Sequence, residues 1–208
     1  MKAHVLAGHH LVRRWFAVVA TATLALLGSG CATHYVDTAT PEVPVSALKK
    51  VDQPKPVQFL FEFQTKGTPN SRATQMLKEQ ITDQVKTSGL FSSVTDSPAA
   101  SGAILSMKLN NVPLTDNAFG KGFVTGLTFG LAGSQVTDGY VCTIEYVDGT
   151  TAEPITKTAR HAIHTVIGAK DAPPNAVAAE NIEVAVRTMT RQIVSTVLRD
   201  LSFDPSFK

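Results

Sequence analysis

The sequence predicts a single α/β sandwich domain, a mixed sheet with two packed helices. The expected order is strand, helix, strand, strand, glycine-rich insert, strand, strand, helix. Three observations lead there. Apolar residues alternate along several segments between residues 57 and 167, the period of half-buried strands. Two other segments carry apolar residues three and four apart, the period of amphipathic helices. One-sided strands and one-sided helices bury those faces against each other, which sets the layers.

Each element has its own warrant. In "VQFLFEFQ", Val57, Phe59, Phe61 and Phe63 share one face, opposite Gln58, Glu62 and Gln64, with Leu60 as the exception. In "NSRATQMLKEQITDQVKTSGLF", Ala73, Met76, Leu77, Ile81 and Val85 make a helical stripe. Asn70 or Ser71 caps its start. Gly89 stands where a helix ends, and Leu90 and Phe91 fold back on the last turn. A short strand is expected around residues 93–95. In "GAILSMKLNNV", Ala103, Leu105, Met107 and Leu109 fall together. Residues 136–147 and 154–167 form two strands around the turn dipeptide Asp148-Gly149. Tyr140, Cys142, Ile144 and Tyr146 share a face of the first. The final helix is expected over about residues 175–201, with Ile182, Val186, Met189, Ile193, Val197 and Leu201 as its stripe. Glu183 can pair with Arg187 four residues on.

The N-terminus indicates export. Lys2, Arg13 and Arg14 precede the apolar run "WFAVVATATLALLG" and then "SGC", the layout of a signal peptide over residues 1–30. The run is too short for a comfortable span of roughly 20 apolar residues. With Cys31 just past the small residues, the stretch resembles a bacterial lipoprotein signal, in which the cysteine becomes the first residue and carries the lipid. The usual box has Leu three residues before the cysteine. Gly28 stands there, with Leu27 one earlier, so simple cleavage to a soluble periplasmic protein is the alternative. Ala32 after the cysteine, where Asp would retain a lipoprotein at the inner membrane, resembles the outer-membrane sorting class. Residues 31–56 then read as the lipidated cysteine and an extended tether. Pro41, Pro44, Pro54 and Pro56 punctuate it without a helical period. Residues 57–208 are the periplasm-facing domain.

The chain has 19 basic and 17 acidic residues. Removing residues 1–30 takes three basic ones and leaves 16 against 17, so nothing favours nucleic acid as a partner. Two cysteines exclude a disulfide framework, and Cys142 reads as a buried small apolar residue. His161 and His164 form an HxxH pair, but three residues apart in a strand they face opposite ways and cannot share a metal. They are expected as exposed or half-buried sheet residues, and His34 has no evident partner. Asp138 and Asp148 read as turn residues, and Glu180 and Glu183 as solvated. No GxSxG, HExxH or phosphate-loop motif is present. The expectation is no enzymatic activity, no metal and no cofactor.

Residues 119–135 are the unusual stretch. Within "GKGFVTGLTFGLAGSQ", Gly122, Gly126 and Gly130 recur every fourth residue among Phe123, Leu127, Phe129 and Leu131. No charge follows Lys121 until Asp138. As a helix the glycines permit close backbone approach. As a strand the apolar residues could join a neighbouring chain or dip into lipid. A connection packed over the domain's own sheet is the plainest alternative. The seven named residues are therefore candidates for self-association, giving a homo-oligomer, or for membrane contact.

The phrases "LKEQITDQVKTSGLFSSVTD" and "GAILSMKLNNV", the hairpin and the final helix resemble a bacterial envelope-lipoprotein group. It includes peptidoglycan-synthase activator lipoproteins, curli-type secretion lipoproteins and the periplasmic N-terminal domain of the Tol-system propeller. "GLTFGLAG" before "VTDGYVCTIEYVDG" looks closer still to uncharacterised lipoproteins of that type. The resemblance spans about residues 55–203 and transfers no catalytic motif. It implies an accessory or structural component of cell-envelope assembly, a membrane protein of the palmitate-bearing kind, acting through protein contacts. The alternatives are a binding module for a lipid or other apolar ligand beneath residues 119–135, and a subunit of an oligomeric export channel.

Overall fold

A computed structural model describes residues 32–114, 135–150, 153–168 and 171–208. The signal segment, Cys31 and the candidates Gly122, Phe123, Gly126, Leu127, Phe129, Gly130 and Leu131 lie outside them. The elements are β1 (Ala32–Asp37), β2 (Pro56–Thr65), β3 (Thr68–Pro69), α1 (Ser71–Thr87), β4 (Ser93–Thr95), β5 (Ile104–Pro113), β6 (Gln135–Val147), β7 (Ile155–Ile167), β8 (Ala176–Ala179) and α2 (Ile182–Ser202). They form the expected α/β domain: one mixed eight-stranded sheet in the order β3-β2-β5-β6-β7-β1-β8, with β4 also pairing β2. β2 and β5 run parallel, joined through α1, while the steps from β5 to β8 are antiparallel.

Alternation decides the layers. Val57, Phe59 and Phe63 of β2 are buried with Leu105, Met107 and Leu109 of β5 and Tyr140, Cys142, Ile144 and Tyr146 of β6. Leu77, Ile81 and Val85 of α1 and Met189, Ile193, Val197 and Leu201 of α2 enter the same core. Leu60, on the other face, is 45% exposed. The Asn70 side chain accepts the Ala73 N–H at 3.1 Å and caps α1. Gly89 adopts φ 72° after the helix, and Leu90 and Phe91 fold into the core, as the pattern required. Both helices start at one pole of the sheet and run the same way. Their seam is polar: Gln80 and Gln84 donate to the Arg187 and Arg191 carbonyls at 2.9 and 2.7 Å. At the far pole, Phe207 closes the core edge-on against Phe91 and Tyr146.

Two expectations fail here. The described part of the 31–56 segment is not a tether. Residues 32–37 are β1, paired with β7 on one side and β8 on the other. The chain that follows is strapped across the helices: Val43 N–H donates to Ser195 Oγ at 2.8 Å, Lys49 N–H to Ser202 Oγ at 3.0 Å, and Glu42 meets Arg191 at 2.7 Å. The prolines do keep it extended. Val36 is buried, however, and Leu48 and Val51 pack on the core, so burial holds the segment down. The final helix also starts later than expected. Residues 176–179 are β8, and Asn181 caps α2 by accepting the Val184 N–H at 3.0 Å. Alanine-rich "AVAA" suits a helix locally, but its strand form pairs with β1. The Glu183–Arg187 pair forms at 2.9 Å.

Candidate functional site

β7 carries both histidines, and register puts them on opposite faces. His161 lies opposite Tyr140 on the helix side, and His164 opposite Thr137 on the other. The expected exposure is wrong for both: each is fully buried. His161 is covered by α2, where its Nε2 donates to Gln192 Oε1 at 2.7 Å. Its Nδ1 accepts the Ala162 N–H at 2.8 Å, an arrangement that fits the neutral ring.

Burial holds the His161 imidazole below its ordinary value of 6.5, against the opposing pull of hydrogen bonds to Gln192 and Ala162. The groups facing it are Gln192 from α2, Tyr140 from β6, the Thr40 backbone and the charge of Asp37. Just below that value the unfolded chain binds a proton that the folded chain refuses. Stability therefore falls as pH drops through this window. Thermal melting should shift down between about pH 7.5 and 5.5, and His161→Gln should flatten the slope. An equal slope in the variant would show that His161 does not set it.

His164 forms the most organised polar group on the far face. Asp37, at the end of β1, meets His164 Nε2 through Oδ2 at 3.2 Å and accepts the Ala39 N–H through Oδ1 at 2.7 Å. His164 Nδ1 lies 3.0 Å from Thr137 Oγ1. An acid, an imidazole and a hydroxyl in line have the makings of a nucleophilic relay. Yet Asp37, His164 and Thr137 are 1%, 0% and 2% exposed, so the hydroxyl presents no face to a substrate. What the arrangement does is fasten β1 to β6 and β7. Sequence reasoning missed it because Asp37 lay in the supposed tether. The available signal was the alternation of "ATHYVD" itself.

Other candidates are inert in this structure. Cys142 is fully buried, and burial pushes its thiol up to about 12, far from a reactive thiolate. Among the described residues no three His, Cys, Asp or Glu side chains gather to hold a metal. No described helix is long and apolar enough to cross a membrane.

The surface is more distinctive. β8 ends the sheet, and its "AVAA" edge bears no charge; Val177 is 62% exposed. Val136, Ile167, Ile182 and Val184 are 51%, 50%, 46% and 39% exposed. A groove of about 290 Å³ lies between residues 42–48 and the helices, lined by Val43, Leu48, Gln84 and Leu198. Beyond it, at the pole that Phe207 closes, a cleft of about 620 Å³ is lined by Lys49, Lys50, Lys55 and Lys208, with Asp52 among them.

No family model matches the chain, and no curated protein sequence matches it. Among solved structures it is similar to the PelC dodecamer from Paraburkholderia phytofirmans, at 16% identity over 82% of this chain and 95% of that one, with a TM-score of 0.35. It is similar also to a protein assigned as a neuraminyllactose-binding hemagglutinin homolog from Helicobacter pylori, at 16% identity over 76% and 88%, with a TM-score of 0.35. A protein assigned as a lipoprotein from Caulobacter crescentus CB15 matches at 15% identity over 69% and 85%, with a TM-score of 0.26. Similarity this low carries no function from those proteins to this chain.

Proposed function

We propose that this chain is a bacterial outer-membrane lipoprotein, anchored through lipidated Cys31 and facing the periplasm. It works without catalysis, as a structural or accessory component of envelope assembly acting through protein contacts. The anchor rests on "LLGSGC". The contact function rests on the open edge at β8. Asn175 O accepts the Thr38 N–H at 2.8 Å, so antiparallel alternation turns the backbone groups of Val177 and Ala179 toward β1 and those of Ala176 and Ala178 outward. Protected edges carry charge, proline or a bulge, and β8 carries none of these.

The partner this edge suits is a second copy. Antiparallel two-fold pairing centred on Val177 brings Ala176 of one copy opposite Ala178 of the other, both with outward backbone groups, and sets no like charges face to face. Four residues give a weak contact, but confinement to a membrane raises the effective concentration of the copies. The chain from residue 32 onward contains every described element. It should sediment as a concentration-dependent dimer, and Ala178→Pro, which deletes an outward N–H, should yield monomer with an unshifted melt. A wild-type monomer, or a dimer indifferent to Ala178→Pro, would reject the edge. Palmitate labelling of the full chain, lost in Cys31→Ser, tests the anchor.

A further inference from the structure

We propose that the pole of the domain where β1 begins lies directly against the lipid surface, held there by half-exposed apolar side chains. The orientation rests on the anchoring just proposed; the apolar contact itself does not. Four observations converge on this pole.

The first is the lack of slack. Ala32 already pairs with Ile167, so Cys31 stands one residue, about 3.8 Å of Cα spacing, from the sheet. A lipid on that residue leaves the domain no tether on which to stand clear of the membrane. The second is the gathering of exposed apolar residues. Register places Val136 and Ile167 at this end of β6 and β7, on the same side of the sheet as α2. α2 begins here too, because β8 runs toward His34 and ends at Ala179, three residues before Ile182. Ile182 continues the buried stripe of α2, yet it is 46% exposed. The stripe thus runs out past its cover at this pole, and Val184, in the same first turn but around the helix from it, is 39% exposed.

The third observation is where the chain that carries the glycine-rich run leaves and returns. Pro113 lies opposite Asp138, and Leu114 N–H donates to the Thr137 carbonyl at 3.0 Å. The glycine-rich apolar sequence between Leu114 and Gln135 therefore departs from and rejoins the fold at this same end. The fourth is charge. Lys66, Arg72 and Arg187 at this pole are balanced by Asp138, Glu180 and Glu183, whereas Lys49, Lys50, Lys55 and Lys208 gather at the other with only Asp52 and Asp148 beside them. Binding at this pole is thus apolar and indifferent to salt, and it needs no anionic lipid.

The test uses flotation of the chain from residue 32 onward, which lacks both signal and Cys31, with phosphatidylcholine–phosphatidylethanolamine vesicles. Weak co-flotation is expected, unchanged by high salt. Ile167→Asp with Ile182→Asp should reduce the partition by about tenfold or more, from the lost burial of two half-exposed side chains, with the melt unchanged. Lys49→Glu with Lys50→Glu should change nothing. No flotation overturns the proposal. So does flotation that needs anionic lipid and vanishes in salt, which would assign the contact to the lysine pole. Palmitate labelling separates the two proposals. A labelled full chain whose residue-32 form never floats keeps the anchor and overturns the pole. An unlabelled chain whose residue-32 form floats keeps the pole and overturns the anchor.

Discussion

Asp37→Ala should destabilise the domain by about 3–5 kcal/mol, the usual cost of removing one member of a buried charged or hydrogen-bonded pair. The carboxylate does two jobs that nothing nearby replaces: it meets His164 Nε2 and accepts the Ala39 N–H. Without it, a fully buried imidazole loses its acidic neighbour and the turn after β1 loses its acceptor. A domain of this size has about 5–15 kcal/mol of stability in all, so the variant should sit near its unfolding threshold. Asp37→Asn, which keeps an acceptor for Ala39, should cost less. The paired replacement Asp37→Val with His164→Leu should recover much of the loss, because an apolar pair leaves no buried polar group unmet. Chemical denaturation of the wild type, Asp37→Val, His164→Leu and the paired replacement reads the coupling. Additive single and double effects would mean that Asp37 and His164 do not act as a unit.

Local pattern carried the parts of this fold that local physics decides. The alternation of Val57, Phe59 and Phe63, the cap at Asn70, the left-handed Gly89 and the stripe from Met189 to Leu201 all appear where the sequence placed them. β1 and β8 escaped because neither proves itself locally. β1 is six residues just ahead of a proline-punctuated stretch, and β8 is an alanine-rich stretch that reads as helix. Each becomes a strand only by finding the other, and β1 finds β7 more than 120 residues away. The His164–Asp37 contact, 127 residues apart in the chain, was invisible for the same reason. Missing β1 also hid how close Cys31 lies to the sheet. Period fixes which side of a helix is apolar but says nothing about where the covering layer stops. Ile182 was therefore read as core, and it is half exposed.

Gly149→Ala should cost about 3 kcal/mol or more, well beyond the ordinary penalty for a side chain at positive φ. The residue sits at φ 82° in the connection between β6 and β7. The sequence marked Asp148-Gly149 as a turn, where glycine supplies left-handed backbone. The structure adds a second requirement. A Cβ at residue 149 would overlap the Ser101 carbonyl oxygen and stand 2.7 Å from the Gly102 carbonyl carbon. Both are main-chain atoms, so no rotamer relieves the contact. Ser101 is itself fixed, because its hydroxyl donates to the Pro56 carbonyl at 2.6 Å and its Oγ accepts the Ala103 N–H at 3.1 Å. Relief must therefore move the start of β5 or the end of β6, both at the sheet's centre. Gly67 is the control. It has a similar φ of 78°, but a Cβ there meets nothing within 4 Å. Gly67→Ala should cost only the backbone term, about 1–2 kcal/mol. The difference between the two variants in denaturant unfolding isolates the close approach of residues 101–102 and 149. Equal losses would mean that the connection yields freely and that Gly149 serves conformation alone.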